Sequence, residues 1–406
     1  RDRTRQISVD WGSMQQRFKK GISMIDESIT VTAAPTDTDE AIFLATGGPA
    51  NRGSLTYIGG GLSIGHNHGR FGTSDGTGSK THTFGLGLDG EQQLVDNRTF
   101  HFTQEGHLEN IGVSGGGKDI RLHQSYNPNN DIPSIPLLIM SDPNDLIGEG
   151  AITTRMATPG STNEGSVYYS TGAITWATED LVGFSNTVIG GMSGSGIFVQ
   201  IDTDGDGQTE DYTVGVVTHY GFGTSLAGST YSDLAETLEA ISFNPDDLPR
   251  YTLMSGFDQY SASHEVSGTF LNEDIIGGSW HDTLFGGGGD DIFTGGAGGD
   301  TFVFSSDDGH DVITEFYASE DSIDVSKVLI HDFEFSQIGA DVLVTYDGGD
   351  DSILFQNAAL TEIREEFPQY VIVDGDQDLN NLNDLIDKNY LNDPEGHRVS
   401  NGSDVL

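Results

Sequence analysis

Short β-type apolar runs, separated by turns rich in Gly, Asn, Asp and Ser, dominate the chain from Ala41 to Asn244. The runs Ala41–Ala45, Leu55–Ile58, Ser166–Tyr169, Gly196–Ile201 and Tyr212–Thr218 read as strands, and helix-period patterns are nearly absent. One exception lies at residues 231–241, where Leu234, Leu238 and Ile241 stand at helical spacing and predict a helix closing this region. So many short strands predict an all-β sandwich or barrel. Residues 1–40 are mixed and weakly apolar, and read as a lead-in or the remnant of a pro-segment. Residues 245–265 read as a linker, 266–375 as a repeat domain with its cap, and 376–406 as a tail.

After that linker the pattern becomes a repeat of nine. Three units follow one another: Gly277–Phe285, Gly286–Thr294 and Gly295–Val303. Asp282, Asp291 and Asp300 recur at the sixth place, and Leu284, Phe293 and Phe302 at the eighth. A weaker unit, Gly268–Ile276, carries Glu273 where Asp is expected. Paired glycines allow sharp turns that bring carbonyls close together. The sixth-place carboxylate offers a hard oxygen, and the eighth-place residue points inward. These units resemble the RTX nonapeptide, a repeat that binds calcium in a parallel β-roll. The resemblance implies Ca2+ held by Asp282, Asp291 and Asp300 together with the backbone of Gly277, Gly286, Gly288 and Gly295. Trp280 replaces the fourth-place glycine of the first full unit, so the ion site there is expected to be incomplete.

Phe302–Phe304, Gly309–Phe316 and Glu320–Val325, with strand-like runs at Asp341–Tyr346 and Ser352–Phe355, resemble the β-rich cap that follows such repeats in secreted bacterial proteases. That resemblance implies extracellular export from a Gram-negative bacterium by the type I secretion machinery. The machinery reads an uncleaved C-terminal signal, for which Asp404-Val405-Leu406 has the acidic-then-apolar character.

Composition narrows the partners. The 63 acidic and 18 basic residues give a formal charge of −45, which disfavours nucleic acid because phosphate contacts need Lys and Arg. Calcium ligation and adaptation to salty water both account for the acid excess. With no cysteine there are no disulfides, and metal is the available staple. No apolar run approaches the ~20 residues of a membrane span. Two further acidic loops have ion-loop spacing. In Asp202–Glu210, Asp202, Asp204 and Asp206 alternate and Glu210 stands ninth, close to an EF-hand pattern; a solvated hairpin turn is the other reading. Asp374–Asp378 is similar but lacks the sixth-place glycine, and an amphipathic helix is expected after it.

The candidate chemistry lies upstream. A serine sits among glycines in Gly190-Gly191-Met192-Ser193-Gly194-Ser195-Gly196, after Gly61-Leu62-Ser63-Ile64-Gly65-His66 and Asp119-Ile120-Arg121-Leu122. The order His, Asp, Ser on an all-β chain is similar to that of the trypsin-like serine proteases, and more closely to their bacterial glutamyl-endopeptidase branch. The resemblance spans about residues 45–240 and implies a chymotrypsin-like double β-barrel acting on a protein or peptide substrate, expected as a monomer. It implies Ser193 as nucleophile, His66 as general base, Asp119 as its orienting acid, and an oxyanion hole from the N–H groups of Gly191 and Ser193. His68 competes with His66, and Ser195 with Ser193; alignment favours His66 and Ser193. Met192 stands where digestive relatives carry an acid, so activation by an ion pair to a new N-terminus is not expected.

Thr187, six residues before Ser193, implies a primary pocket without an acidic base. Thr218, His219 and Tyr220 would line the substrate cleft, and His219 lies two residues from where glutamyl endopeptidases place their histidine. A zinc protease is disfavoured, since His264-Glu265-Val266-Ser267-Gly268 fails at the second His of H-E-x-x-H. A catalytically inactive adhesin or matrix protein with the same domains is the reading from another class.

Overall fold

The computed structural model describes residues 41–42, 45–49, 53–66, 80–86, 92–99, 119–125, 133–156, 167–203, 205, 207–240, 242–256, 264–328 and 333–367. Ala41, Ile42 and Ala45, expected in a strand, are helical, and the first strand starts at Thr46. The first barrel is built from β1 (Thr46–Pro49), β2 (Leu55–Gly59), β3 (Leu62–Gly65), β4 (Lys80–Leu86), β5 (Gln92–Thr99) and β6 (Arg121–Ser125). These close antiparallel in the order β1-β2-β3-β6-β5-β4. A short strand, β7 (Leu138–Met140), leads to the second barrel. That barrel contains β8 (Gly150–Met156), β9 (Val167–Ala177), β10 (Leu181–Phe184), β11 (Gly196–Ile201), β12 (Glu210–His219) and β13 (Phe222–Ser225). Read from β8, its order is β8-β9-β10-β13-β12-β11, the winding of the first barrel repeated. Closure leaves neither sheet an open edge.

Helix α1 (Ser229–Ala240) follows, burying Tyr231, Leu234 and Leu238. Next come β14 (Tyr251–Met254), β15 (Glu265–Ser267), β16 (Glu273–Ile276), β17 (Thr283–Phe285), β18 (Ile292–Thr294), β19 (Thr301–Ser305), β20 (His310–Glu315) and β21 (Ser322–Lys327). Successive strands alternate between two parallel sheets, so each nine-residue unit is half a coil and a full coil takes 18 residues. Thus Leu284 pairs in register with Phe302, and Ile275 with Phe293. The eighth-place side chains Leu284, Phe293 and Phe302 are fully buried. Phe293 and Phe302 meet across the roll at 6.0 Å between ring centroids, in an edge-to-face contact. The cap adds β22 (Glu334–Ile338), β23 (Asp341–Tyr346), β24 (Asp351–Phe355) and helix α2 (Leu360–Glu366). Here β24 runs parallel to β20, while β23 turns back antiparallel and ends the roll.

The span read as a linker holds a structural strand. Within it, β14 pairs in parallel with β16 of the roll on one side and with β7 on the other. The roll's larger sheet therefore begins between the barrels. Leu138, Met140 and Met254 share one apolar core with Val182, Ile197 and Val217 of the second barrel. By its contacts the chain divides into a unit of residues 1–366, holding every element above, and a short unit, 367–406, of which only Phe367 is described. The Asp374–Asp378 loop, the helix expected after it and the Asp404–Leu406 signal lie outside the described residues, as do the lead-in and His68. Among the described residues no helix is long and apolar enough to cross a membrane.

Candidate active site and roll carboxylates

Strand register brings the candidate triad to one place. In the β2–β3 pair Leu55 stands opposite Gly65, so Ser54 faces His66 one position on. In the β3–β6 pair Gly65 stands opposite Arg121, which puts His66 and Asp119 at the same end of two neighbouring strands. Both are buried. The Asp119 N–H donates to Thr224 Oγ1 of the second barrel over 3.1 Å. From that barrel the loop before β11 reaches back: the Ser54 N–H donates to the Ser193 carbonyl over 2.7 Å, and the Gly196 N–H to Thr56 Oγ1 over 2.6 Å. Gly194 has φ +94°, and a Cβ there would collide with the Ser54 carbonyl and come 2.7 Å from His66 Nδ1. Only glycine lets the loop lie this close to the imidazole.

The backbone amides of this loop are bonded in part. The N–H groups of Met192, Gly194 and Ser195 donate to the carbonyls of Ile189, Val217 and Met192, at 3.1, 2.7 and 2.9 Å. Those of Gly191 and Ser193 have no partner among the described residues. The Met192-to-Ile189 bond and φ +96° at Gly191 define a type II turn, in which the third residue must take a positive φ. Arg155 packs against Gly191, its Nε 2.9 Å from where a Cβ would stand. Met192, at the place of the digestive relatives' acid, is fully buried, and its sulfur accepts from the Ile189 N–H over 3.4 Å.

Ser193 is half-buried, whereas Ser195 is sealed in. Ser195 Oγ donates to the Gly196 carbonyl over 2.7 Å and accepts from the Thr154 N–H over 2.9 Å, so its hydroxyl is committed to bonds within the second barrel. The cleft residues follow. Val217 pairs with Gly194 and Ser195, Thr218 is buried, and His219 stacks on Phe222 at 4.7 Å with its Nδ1 3.1 Å from Thr218 Oγ1. Tyr220 is 62% exposed at the tip of the β12–β13 hairpin. Thr187 lies on the loop after β10, its N–H bonded to Ser170 Oγ over 2.9 Å.

The roll acids form two columns. Asp300 Oδ1 accepts from the Asp282 N–H, and Asp282 Oδ1 from the His264 N–H, each over 2.8 Å. In the other column Asp291 Oδ1 accepts from the Glu273 N–H over 2.8 Å, and Asp311 Oδ1 from the Asp291 N–H over 2.9 Å. Each sixth-place carboxylate therefore caps the backbone one coil back. Asp282 Oδ2 takes the Gly278 N–H at 2.7 Å, but Asp291 Oδ2, Asp300 Oδ2 and Glu273 Oε2 are buried with no hydrogen-bond partner among the described residues. The bare sides of Gly286 and Gly295 face Asp291 Oδ2 and Asp300 Oδ2, and a Cβ would fill that space. Gly277 lies likewise beside Asp282 Oδ2, and the Gly288 N–H donates to the Thr269 carbonyl over 2.7 Å.

Burial pushes Asp300 up to about 6 and Asp311 up to about 8; burial first, then the Glu273 charge, raises Asp291 far above the carboxylate range. Among the described residues no three His, Cys, Asp or Glu side chains converge as a metal-binding group. One carboxylate oxygen per half-coil beside stacked carbonyls fits a hard cation that takes most of its ligands from the backbone. In the Asp202–Glu210 loop, Asp202 accepts from the Gly205 and Gly207 N–H groups over 2.8 and 2.9 Å, and Glu210 Oε2 from the Thr203 N–H over 3.3 Å. Asp204 and Asp206 lie outside the described residues.

Nothing in the sequence singled out Ser54 or Thr56, whose hydroxyls bond the nucleophile loop from the first barrel, or Thr154, whose hydroxyl meets Ser195 Oγ within the second.

No curated protein matches the chain. Solved structures similar to it include a Glu endopeptidase in complex with MPD, at 14% identity and TM-score 0.39, over 52% of this chain and 97% of that one. Neuropsin, a serine protease expressed in the limbic system of mouse brain, is 11% identical at TM-score 0.35, over 49% and 96%. Deg5 is 9% identical at TM-score 0.36, over 50% and 93%. The family model described as Peptidase M10 serralysin C terminal matches residues 260–372. That stretch holds the acid columns and the cap, so the β-roll of this chain, carried behind a double barrel, is similar to the serralysin C-terminal domain.

Proposed function

We propose that this chain is a secreted, calcium-dependent serine endopeptidase. The observation that supports the reading best is the pair of N–H groups at Gly191 and Ser193 without a partner among the described residues, next to the bonded amides of Met192, Gly194 and Ser195, in a loop whose Ser193 carbonyl is held by Ser54, the residue across from His66. Ser193 Oγ attacks the scissile carbonyl, and His66 takes its proton and returns it to the leaving amine. Asp119 fixes the imidazole tautomer and stabilises the imidazolium. The Gly191 and Ser193 N–H groups hold the oxyanion; losing one such donor costs roughly a hundredfold or more in rate. Thr218, His219 and Tyr220 line the substrate side, and Thr187 leaves the primary pocket without a carboxylate, against Lys or Arg at the cleaved position.

Calcium would be held in the roll by Asp282, Asp291 and Asp300 with the neighbouring backbone of Gly277, Gly286, Gly288 and Gly295, and by Asp202 and Glu210 in the second barrel. Bound there, it supplies the positive charge that lets buried carboxylates ionise. The serralysin-type roll supports export into a calcium-rich medium by the type I machinery. Hydrolysis of casein in millimolar calcium tests the reading. His66→Ala and Ser193→Ala should each lose at least a thousandfold in rate, and a Ser193→Ala protein as active as the wild type overturns it.

A further inference from the structure

Two hydrogen bonds from a single buried residue of the first barrel shape the loop that carries the nucleophile in the second. Ser54 uses its N–H for the Ser193 carbonyl at 2.7 Å and its hydroxyl for the Gly191 carbonyl at 2.8 Å. The peptide planes on either side of Met192–Ser193 are thereby held at both ends. The Gly191–Met192 plane is fixed by Ser54 Oγ and the Ile189 carbonyl, and the Ser193–Gly194 plane by the Ser54 N–H and the Val217 carbonyl. The Met192 carbonyl, which belongs to the plane of the Ser193 N–H, accepts from Ser195.

One plane lacks such a clamp among the described residues. It joins Gly190 to Gly191 and carries the other candidate oxyanion donor. Type I and type II turns differ by a half-rotation of this central peptide, and between two glycines that rotation meets no Cβ of either residue. A type I setting needs φ near −90° at Gly191 in place of the observed +96° and turns its N–H to the opposite face. Because Ser54 Oγ anchors the Gly191 carbonyl, the plane after Gly191 stays still while φ is chosen. The hydroxyl thereby fixes the plane against which the Gly191 N–H is set, at the observed φ of +96°.

We infer that Ser54 is a positioning residue for the oxyanion hole, acting through Gly191. The inference rests on Ser193 being the nucleophile. Ser54→Ala tests it, since alanine keeps the N–H bond to Ser193 and loses only the hydroxyl. Peptide hydrolysis by the calcium-loaded full chain should show kcat lowered roughly tenfold to a hundredfold with KM changed less than threefold. A peptide boronic acid, which mimics the tetrahedral adduct, should weaken in parallel with kcat/KM, while the fraction of molecules titrated by a fluorophosphonate stays at the wild-type value. Unchanged kcat and boronate affinity overturn the inference. So does a fall in rate that is fully matched by a fall in the titrated fraction, which marks Ser54 as merely structural. A wild-type protein that no fluorophosphonate labels overturns the protease reading, and this inference with it.

Discussion

The Tyr231 hydroxyl donates to Oε1 of Glu273 over 2.6 Å, tying the helix that closes the second barrel to the first coil of the roll. Glu273 occupies the sixth place where the later units have Asp. Its extra methylene reaches Tyr231 and Thr269, while its backbone still serves the Asp291 column and the Arg250 guanidinium. The departure from the repeat is thus a joint between barrel and roll. Tyr231→Phe leaves a buried carboxylate oxygen short of a donor and should lower the stability of the calcium-saturated protein by about 1–3 kcal/mol in urea unfolding. A change within 0.5 kcal/mol, on the order of a neutral surface substitution, would show that the joint contributes nothing.

Removing calcium should affect the roll before the barrels' own hydrogen bonds. With EDTA the stacked carboxylates lose their counter-charge, and β-signal in circular dichroism should fall with a lower melting temperature. An identical spectrum and melting curve in chelator would contradict calcium-linked folding.

Without calcium, pH should replace the ion in part. The folded-state values of Asp300 and Asp311, about 6 and about 8, lie above the unfolded carboxylate value of roughly 4. Folding therefore favours the protonated forms. Their contribution is fully present below about pH 4 and is lost as pH rises through about 6 and then about 8. Calcium-free protein should melt at a higher temperature at pH 5 than at pH 8, and the gap should shrink in saturating calcium. A calcium-free melting temperature that rises from pH 5 to 8 would reverse the sign and refute the account.

Ser193 and Ser195 should separate cleanly. Ser195→Ala removes a buried hydroxyl that binds Gly196 and Thr154, and should cost about 1–3 kcal/mol of stability while fluorophosphonate labelling survives. Ser193→Ala should keep its stability and lose labelling. The opposite outcome would reassign the nucleophile.

The repeat was the most legible part of the chain because its period is short and chemical. Asp282, Asp291 and Asp300, with Leu284, Phe293 and Phe302, mark themselves nine apart, and all six are buried as that spacing requires. The barrels were legible as an architecture, and His66, Asp119 and Ser193 as an order, because glycine-rich turns interrupt every strand. What escaped are the bonds made between segments far apart in sequence. The three-residue β7 carries too little pattern to reveal that it begins the roll's sheet. The run Tyr251–Met254 stood inside an apparent connector because a parallel partner is visible only in three dimensions. Ser54 was silent for the same reason. Ala41–Ala45 misled, since a short apolar run fits a helix as well as a strand.

The central claim is that Ser193 is an activated nucleophile. Mass spectrometry after a fluorophosphonate probe in millimolar calcium, with Ser193→Ala as control, measures it directly. The account predicts one adduct on Ser193 of the wild type and none in the variant. Folded, calcium-loaded protein that takes up no probe, or takes it up elsewhere, would contradict it and leave a double barrel and roll serving as a calcium-dependent adhesin or matrix protein.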